Sequence, residues 1–355
     1  MGELLEVAVS GRPVFFLVPE AVDDPARVSG GNVYDLHLRD GLLADGCDLR
    51  MLAVADGGGH AGRILSGLPH GALVLIDGLL VAQHPDAVAD QSGRLHVVVL
   101  AHMVAPEQDD RERDALRSAE LIVATSAWTR SELIARDAAD PRSIVVAHPG
   151  VDAGPPSEPS ATGGRLLCVA AVAPHKGQDL LVSALAGLAD IDGWSCTFVG
   201  SLATAPEFAA ALSARAAASG IADRVAFTGV LAGRALDEAY AQADLVVVPS
   251  RVESYGMVAA EAIARGIPVL ATGVGGIAEA VGDGRAAMIV PPDDPWALRV
   301  ALRQWWKDPA RRHQLRAAAM DARGASTTWA STAQVVAAAL ARVPDAARAE
   351  TAVRS

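Results

Sequence analysis

The sequence predicts an α/β protein of two domains, each a parallel β-sheet covered by helices. Three observations lead there. The chain has 355 residues, more than one hydrophobic core normally serves and enough for two domains of about 150 to 180 residues. Short apolar runs of strand length alternate with longer segments of helical spacing, the pattern of a sheet whose crossovers are helices. The pattern also occurs twice. Between its two occurrences lies Asp152 to Gly164, DAGPPSEPSATGG, where prolines, serines and glycines replace any hydrophobic periodicity and mark a linker and domain boundary.

In the first half the expected strands are Pro13 to Val18, Leu49 to Val54, Ala72 to Ile76, Leu95 to Leu100, Leu121 to Ala124 and Ile144 to Ala147, with helical patterns such as Gly31 to Asp45 and Trp128 to Arg136 between them. After the linker come strands Arg165 to Val172, Ser195 to Val199, Arg224 to Thr228, Leu245 to Val248, Pro268 to Ala271 and Ala287 to Val290. Leu180, Ala184 and Leu188 recur at helical spacing and place a helix near Gln178 to Leu188. Pro295 to Ala319 reads as one helix whose Trp296, Trp305 and Trp306 are packing aromatics. A last helix, about Thr328 to Arg342, precedes a charged tail expected to fray. The boundaries are therefore 1–152, a linker 153–164, 165–325, a terminal helix 326–343 and a tail 344–355.

Composition narrows the function. A formal charge of −12 and a pI near 5.2 disfavour a nucleic-acid groove, which needs a basic stripe, and weaken docking on anionic lipid. No apolar run approaches the length of a membrane span, and no basic region precedes an apolar one at the N-terminus, so a soluble, unexported, cytoplasmic protein is expected. Cys47, Cys168 and Cys196 are odd in number and far apart, the mark of buried reduced thiols rather than a disulfide framework or metal knuckle.

The segment LVVVPSRVESYGMVAAEAIARGIPV, from Leu245, carries the chemistry: an apolar strand, a polar turn with Pro249 and Gly256, then a helix ending at Gly266. In an open α/β sheet the ligand crevice lies at the carboxyl ends of the strands, so the turn faces it. A helix starting near Gly256 offers the N–H groups of Gly256, Met257 and Val258 to an anion, and Gly256 permits close approach. Glu261, four residues after Met257, leans back toward that anion site and suits a ribose diol. Glu253 reaches the sugar side of the same pocket. Lys176, on the turn after strand Arg165 to Val172, faces the same crevice. Gly30 and Gly31 open a helical pattern after the first strand, a second anion or acceptor loop. Taken alone, each of these also has a plain structural reading: a polar turn, a solvated charge, a bare glycine turn.

Glu253 and Glu261 in ESYGMVAAE, followed by ARGIPVLATGVGGIAEAV, resemble the E-x7-E signature and downstream Gly-Gly loop of the family 4 retaining glycosyltransferases. VAAVAPHKGQDLLVSAL resembles that family's strand, lysine-bearing turn and helix, and RVAFTGVL its nucleotide-base segment; SGGNVYD, DGL and LAHMVAPE match more loosely. The resemblance implies the GT-B fold, two Rossmann-like domains facing a cleft, with the C-terminal helix crossing back to the first. It implies that Lys176 binds the donor diphosphate, the backbone of Gly256 to Val258 the distal phosphate, Glu261 the ribose hydroxyls and Glu253 the transferred sugar. Val230 and Leu231 are the implied base contacts, Gly275 and Gly276 a loop near the nucleotide, and His102 a contact to the donor sugar. Asp77, ending strand Ala72 to Ile76, is the expected acceptor contact.

One position departs from the pattern. Many members carry an arginine five positions before the lysine, and Ala171 stands there. One charge-assisted hydrogen bond is worth roughly 1.5 to 3 kcal/mol, against about 8 kcal/mol or more of barrier lowering in a typical enzyme; His175 or Arg251 is the expected substitute.

The expected reaction is transfer of a hexose from a nucleotide diphosphate sugar, with UDP favoured, to a small soluble acceptor, with retention. No metal or other cofactor is called for, because Lys176 and the helix N-terminus meet the leaving group's charge and Asp109 and Asp110 sit in a mixed-charge run. A nucleotide-sugar epimerase or hydrolase and a nucleotide-sugar-binding pseudoenzyme are the alternatives. A dehydrogenase is disfavoured because no G-x-G-x-x-G follows the first strand.

Overall fold

A computed structural model describes residues 12–344, apart from 56, 58, 105–108 and 153. Residues 105–107 of the LAHMVAPE motif and the tail from 345 onward therefore lie outside the described residues. The chain divides into two units. The first takes the segment up to Asp23, then Gly30–Gly150 and the segment from Thr327; the second takes Asp24–Ser29 and Val151–Ser326.

The first unit is a six-stranded parallel sheet: β1 (Val14–Pro19), β2 (Leu49–Val54), β3 (Leu73–Asp77), β4 (His96–Ala101), β5 (Leu121–Ala124) and β6 (Ile144–Val146), in the order β2-β1-β3-β4-β5-β6. Val14, Phe16 and Leu17 on β1 and Leu73 to Ile76 on β3 are fully buried, as expected for strands covered on both faces. The helices are α1 (Gly30–Ala44), α2 (His60–Gly67), α3 (Gly78–Gln83), α4 (Pro85–Ser92), α5 (Asp110–Ser118) and α6 (Ala127–Ala135). The order reverses between β1 and β3, so the turns leaving those strands, which lead to Gly30 and Asp77, flank the switch point where open α/β sheets bind ligands.

The second unit is built the same way. Strands β7 (Arg165–Val169), β8 (Ser195–Val199), β9 (Val225–Phe227), β10 (Leu245–Val248), β11 (Val269–Thr272) and β12 (Ala287–Val290) pair in parallel in the order β12-β11-β10-β7-β8-β9. The switch point falls between β7 and β10, the strands that precede Lys176 and Glu253. The covering helices are α7 (Gln178–Ala186), α8 (Pro206–Ala218), α9 (Arg234–Ala241), α10 (Met257–Ala264), α11 (Ile277–Ala280), α12 (Pro295–Lys307) and α13 (Pro309–Ala322).

The final helix, α14 (Trp329–Ala341), belongs to the first unit. The Thr328 hydroxyl caps it by accepting from the Ser331 N–H at 3.1 Å. It lies close on α1 because a Cβ at Gly41 would fall 2.5 Å from the Ala333 Cβ, while Trp329 stacks on His37 at 4.3 Å.

Three sequence expectations change. The helix expected over Pro295 to Ala319 is two helices: Pro309 cannot donate to α12, and the Asp308 carboxylate caps α13 by accepting from Arg311 N–H at 2.9 Å. Of its tryptophans, Trp305 is buried and Trp306 stacks on Trp194, but Trp296 is 65% exposed with the Arg299 guanidinium over its ring. The proline-rich stretch read as a linker is laid against the second unit. Buried Asp244 accepts from Ser160 N–H and Oγ at 2.6 Å each and from Arg165 N–H at 2.8 Å, and Glu158 N–H bonds to the Ala241 carbonyl. All three cysteines are buried thiols. Among the described residues, no helix is long and apolar enough to cross a membrane.

Candidate active site

In the second unit β10 delivers the chain through Pro249 into the turn Ser250 to Tyr255 and then to Gly256, which caps α10 with a φ of 103°. That left-handed backbone excludes side chains, and a Cβ there would fall 2.6 Å from Ile277 Cδ1. The N–H groups of Ala259 and Ala260 both bond to the Gly256 carbonyl. The N–H groups of Met257 and Val258 precede these bonds, and the helix dipole adds partial positive charge around them.

Lys176 closes a single 3₁₀ turn, Pro174–Lys176, after β7. Its Nζ donates to Glu253 Oε1 at 2.7 Å, and the Ser250 hydroxyl donates to the same oxygen at 2.8 Å. The structure thus brings Lys176 and Glu253 together, though they are far apart in sequence. Arg251 joins their loops. Its N–H bonds to the His175 carbonyl at 2.8 Å, and its guanidinium grips Asp179 through two nitrogens, at 2.9 and 2.8 Å, while Nε meets Asp293 at 2.6 Å. Burial would raise the Asp179 carboxyl, but the Arg251 hydrogen bonds and charge hold it below its usual range. Arg251, expected as a substitute for the missing arginine at Ala171, is committed to these two carboxylates. His175, the other expected substitute, is exposed, and burial followed by the Lys176 charge lowers its pKa.

Gly275 and Gly276 are the backstop of the Glu253 turn. Gly275 has φ 55°, and a Cβ on it would fall 1.6 Å from the Glu253 carbonyl oxygen; the Gly276 N–H donates to that same carbonyl at 3.0 Å. Val230 and Leu231 lie in the coil after β9, both partly exposed.

Glu261, on the second turn of α10, accepts from the hydroxyl of Tyr240 at 2.6 Å. Tyr240, on α9, is fully buried, and the Arg265 guanidinium lies 4.6 Å from its ring centroid while bonding Asp237 at 2.9 Å. Burial raises the Glu261 pKa, and the Tyr240 hydrogen bond and Arg265 charge pull against that rise. Sequence reading missed Tyr240; its one signal is a tyrosine just ahead of a strand that leads into the site.

In the first unit Gly30 and Gly31 open α1, and a Cβ on Gly31 would stand 3.4 Å from the His102 ring. His102 follows β4 and its Nε2 meets Asp35 Oδ1 at 2.8 Å, with the Tyr34 ring edge-on at 5.1 Å. Asp77, expected as an acceptor contact, is only 3% exposed and caps α3 by accepting from Leu79 N–H at 2.7 Å. The polar atoms of Asp35, Asp77 and His102 all lie within 4.8 Å of one another. Burial would lower His102, but the Asp35 charge and hydrogen bond, with the Asp77 charge, push it up to about 9. Burial pushes Asp35 up to about 7 against the pull of His102, and Asp77 adds to the rise. Asp35 was also missed. Its signal is a carboxylate on the buried stripe of α1, three and seven residues before Leu38 and Leu42.

Comparisons with known proteins agree with this fold. Residues 156–321 match the family of glycosyl transferases group 1. A D-inositol 3-phosphate glycosyltransferase of Streptomyces scabiei is 34% identical over 257 residues, covering 64% of this chain and 56% of that protein. One of Geodermatophilus obscurus is 37% identical over 225 residues, covering 57% and 50%. The chain thus spans between half and three-fifths of the curated relatives it matches. Sucrose-phosphate synthase from Thermosynechococcus elongatus superposes with a TM-score of 0.74 at 21% identity, covering 97% of this chain and 100% of that one. Anabaena HepE in complex with UDP and glucose gives 0.73 at 19%, covering 93% and 99%. The two six-stranded parallel sheets are those of the GT-B fold, and residues 156–321 are similar to the group 1 glycosyl transferases.

Proposed function

We propose that the protein transfers a hexose from a nucleotide diphosphate sugar, with UDP as the nucleotide, to a hydroxyl of a small acceptor, with retention and without a metal. The observation that carries the reading is the Lys176–Glu253–Ser250 cluster beside the N-terminus of α10, at the switch point of the second sheet. Lys176 supplies a charge for a diphosphate, the N–H groups of Gly256, Met257 and Val258 supply donors for its distal phosphate, and Glu261 accepts from the ribose hydroxyls. Glu253 accepts from the hexose hydroxyls. Val230 and Leu231 border the base, and the Gly275–Gly276 loop holds the Glu253 turn. Arg251 serves the site by fixing the Lys176 turn, and Asp77 by supporting the turn beside His102. In the first unit we assign His102 to the donor sugar and the Gly30–Gly31 turn to the donor's anionic part.

In the reaction the bond from the anomeric carbon to the diphosphate oxygen breaks, and its electron pair leaves with the nucleoside diphosphate. Lys176 and the helix N-terminus stabilise that charge. The acceptor oxygen bonds the anomeric carbon on the leaving-group face, and its proton passes to the departing phosphate oxygen. Relatives named for D-inositol 3-phosphate and a fold neighbour holding UDP and glucose support a small acceptor and a uridine donor.

The test combines binding and stereochemistry. Calorimetry with UDP, GDP and UDP-glucose is expected to favour the uridine ligands, and Lys176→Ala to lower kcat by about 100- to 1,000-fold. NMR of the first product should show the donor's anomeric configuration, with rates unchanged by EDTA. Inversion, stabilisation by GDP alone, or donor consumption at full rate without an acceptor would each overturn the proposal.

A further inference from the structure

The trio at the carboxyl ends of β3 and β4 holds a residue to which the reaction above gives no part. Asp35 is completely buried, yet it sits on the stripe of α1 where Tyr34, Leu38 and Leu42 fill the core. Burying a carboxylate is costly unless it is paired, and an apolar side chain of similar size would fill the stripe without that cost. Its partners indicate what it is for. Oδ1 meets His102 Nε2 at 2.8 Å, and Oδ2 is buried without a hydrogen-bond donor. Asp77 lies beside it, with its own Oδ1 accepting from Leu79 N–H. A proton retained between the two carboxyls would satisfy Oδ2 and leave Oδ1 free to accept from the imidazole. The ring is further confined by the Tyr34 edge at 5.1 Å and by Gly31, where a Cβ would already touch it.

We propose that Asp35 is the positioning residue for His102: by accepting from Nε2–H it fixes the ring's orientation, so that the Nδ1 edge is the one left to meet the donor sugar. This rests on the assignment of His102 to that sugar. Asp35 itself touches no substrate. Its effect is to remove the choice among ring rotations, so that the ordering cost is met during folding rather than at each turnover.

The experiment uses the full-length protein and three variants, Asp35→Asn, Asp35→Leu and His102→Ala. The ¹⁵N resonances of His102, followed from about pH 7 to above about pH 9, report which nitrogen keeps its proton once the ring is neutral, without any substrate. In the wild type they should show Nε2 protonated. In Asp35→Leu that signature should disappear, with kcat falling about 10- to 100-fold while the donor KM changes less than about threefold; Asp35→Asn, which can still accept, should retain the tautomer and lose less. Unchanged His102 resonances in both Asp35 variants overturn the proposal, as does Asp35→Asn failing to fold, which would make the residue purely structural. Uptake of Mn²⁺ or Zn²⁺ at the trio, seen as metal-dependent stabilisation lost in Asp35→Asn, overturns it too. If His102→Ala turns over donor at the wild-type rate, the assignment of His102 fails instead, whatever the resonances show.

Discussion

Tyr240→Phe isolates one hydroxyl beneath the candidate nucleotide site. The substitution keeps the ring, and with it the packing under the Arg265 guanidinium 4.6 Å from the centroid, while it deletes the O–H that donates to Glu261 at 2.6 Å. A hydrogen bond to a charged acceptor contributes about 1.5 to 3 kcal/mol, which is about 10- to 150-fold in an equilibrium constant. Burial already raises the Glu261 pKa, and the Tyr240 bond is the largest influence opposing it, so its loss raises the carboxyl further and leaves it without its anchor. If Glu261 accepts from the ribose, UDP affinity should fall within that range. The measurement is calorimetry of UDP binding to the wild type, Tyr240→Phe, Glu261→Gln and the double variant. Because both changes act through one bond, their effects should fail to add, with a coupling of about 1 kcal/mol or more. Additivity within about 0.5 kcal/mol, or Tyr240→Phe binding UDP as the wild type does, would refute the reasoning.

Three other outcomes follow from the geometry. Arg251→Gln strands the Asp179 and Asp293 carboxylates and frees the Lys176 turn, so the second unit should lose about 1 to 3 kcal/mol in urea melts, with kcat falling more than UDP affinity. Gly275→Ala puts a Cβ 1.6 Å from the Glu253 carbonyl at a positive φ, and should cost about 1 to 3 kcal/mol and lower kcat, whereas Gly284→Ala, at a positive φ with open space around it, should cost only the backbone strain. His102 is raised to about 9 and Asp35 to about 7 in the folded protein. The folded state therefore holds protons that the unfolded chain releases, so stability is greatest below the unfolded values and is lost as pH rises through the folded ones. The Tm should fall between pH 6.5 and 9, and the slope should flatten in Asp35→Asn; a Tm rising over that window would contradict the assignment.

Periodicity carried most of the fold. All six strands expected in each half form, because strands buried on both faces read as unbroken apolar runs such as Leu245 to Val248 and Leu73 to Ile76. The candidate donor loops were legible for a related reason: a strand, a polar turn and a helix start leave a local trace, and family resemblance linked Lys176 to Glu253. Their 2.7 Å contact depends on the sheet order placing β7 beside β10, which no local pattern encodes. Asp35 and Tyr240 were missed because each looks like an ordinary helix residue until its partner, from a distant element, is known. The break at Asp308–Pro309 was written in the sequence as a cap and a proline, and neither was read as a stop. The stretch 154–164 looked like a free linker because its bonds go to Asp244, Ala241 and Arg265, which lie far along the chain.

The sharing of Glu253 Oε1 by Lys176 and Ser250 also bears on selectivity. The protein meets its own lysine charge internally, so a simple anion such as inorganic phosphate must compete with a carboxylate already at 2.7 Å. A sugar nucleotide can offer an exchange, with phosphate oxygens for the lysine and hexose hydroxyls for the glutamate. Nucleoside diphosphate without its sugar satisfies only half of it. On the proposed assignment such an arrangement would favour intact donor over spent product, and so would limit product inhibition through the two residues proposed to serve the transfer.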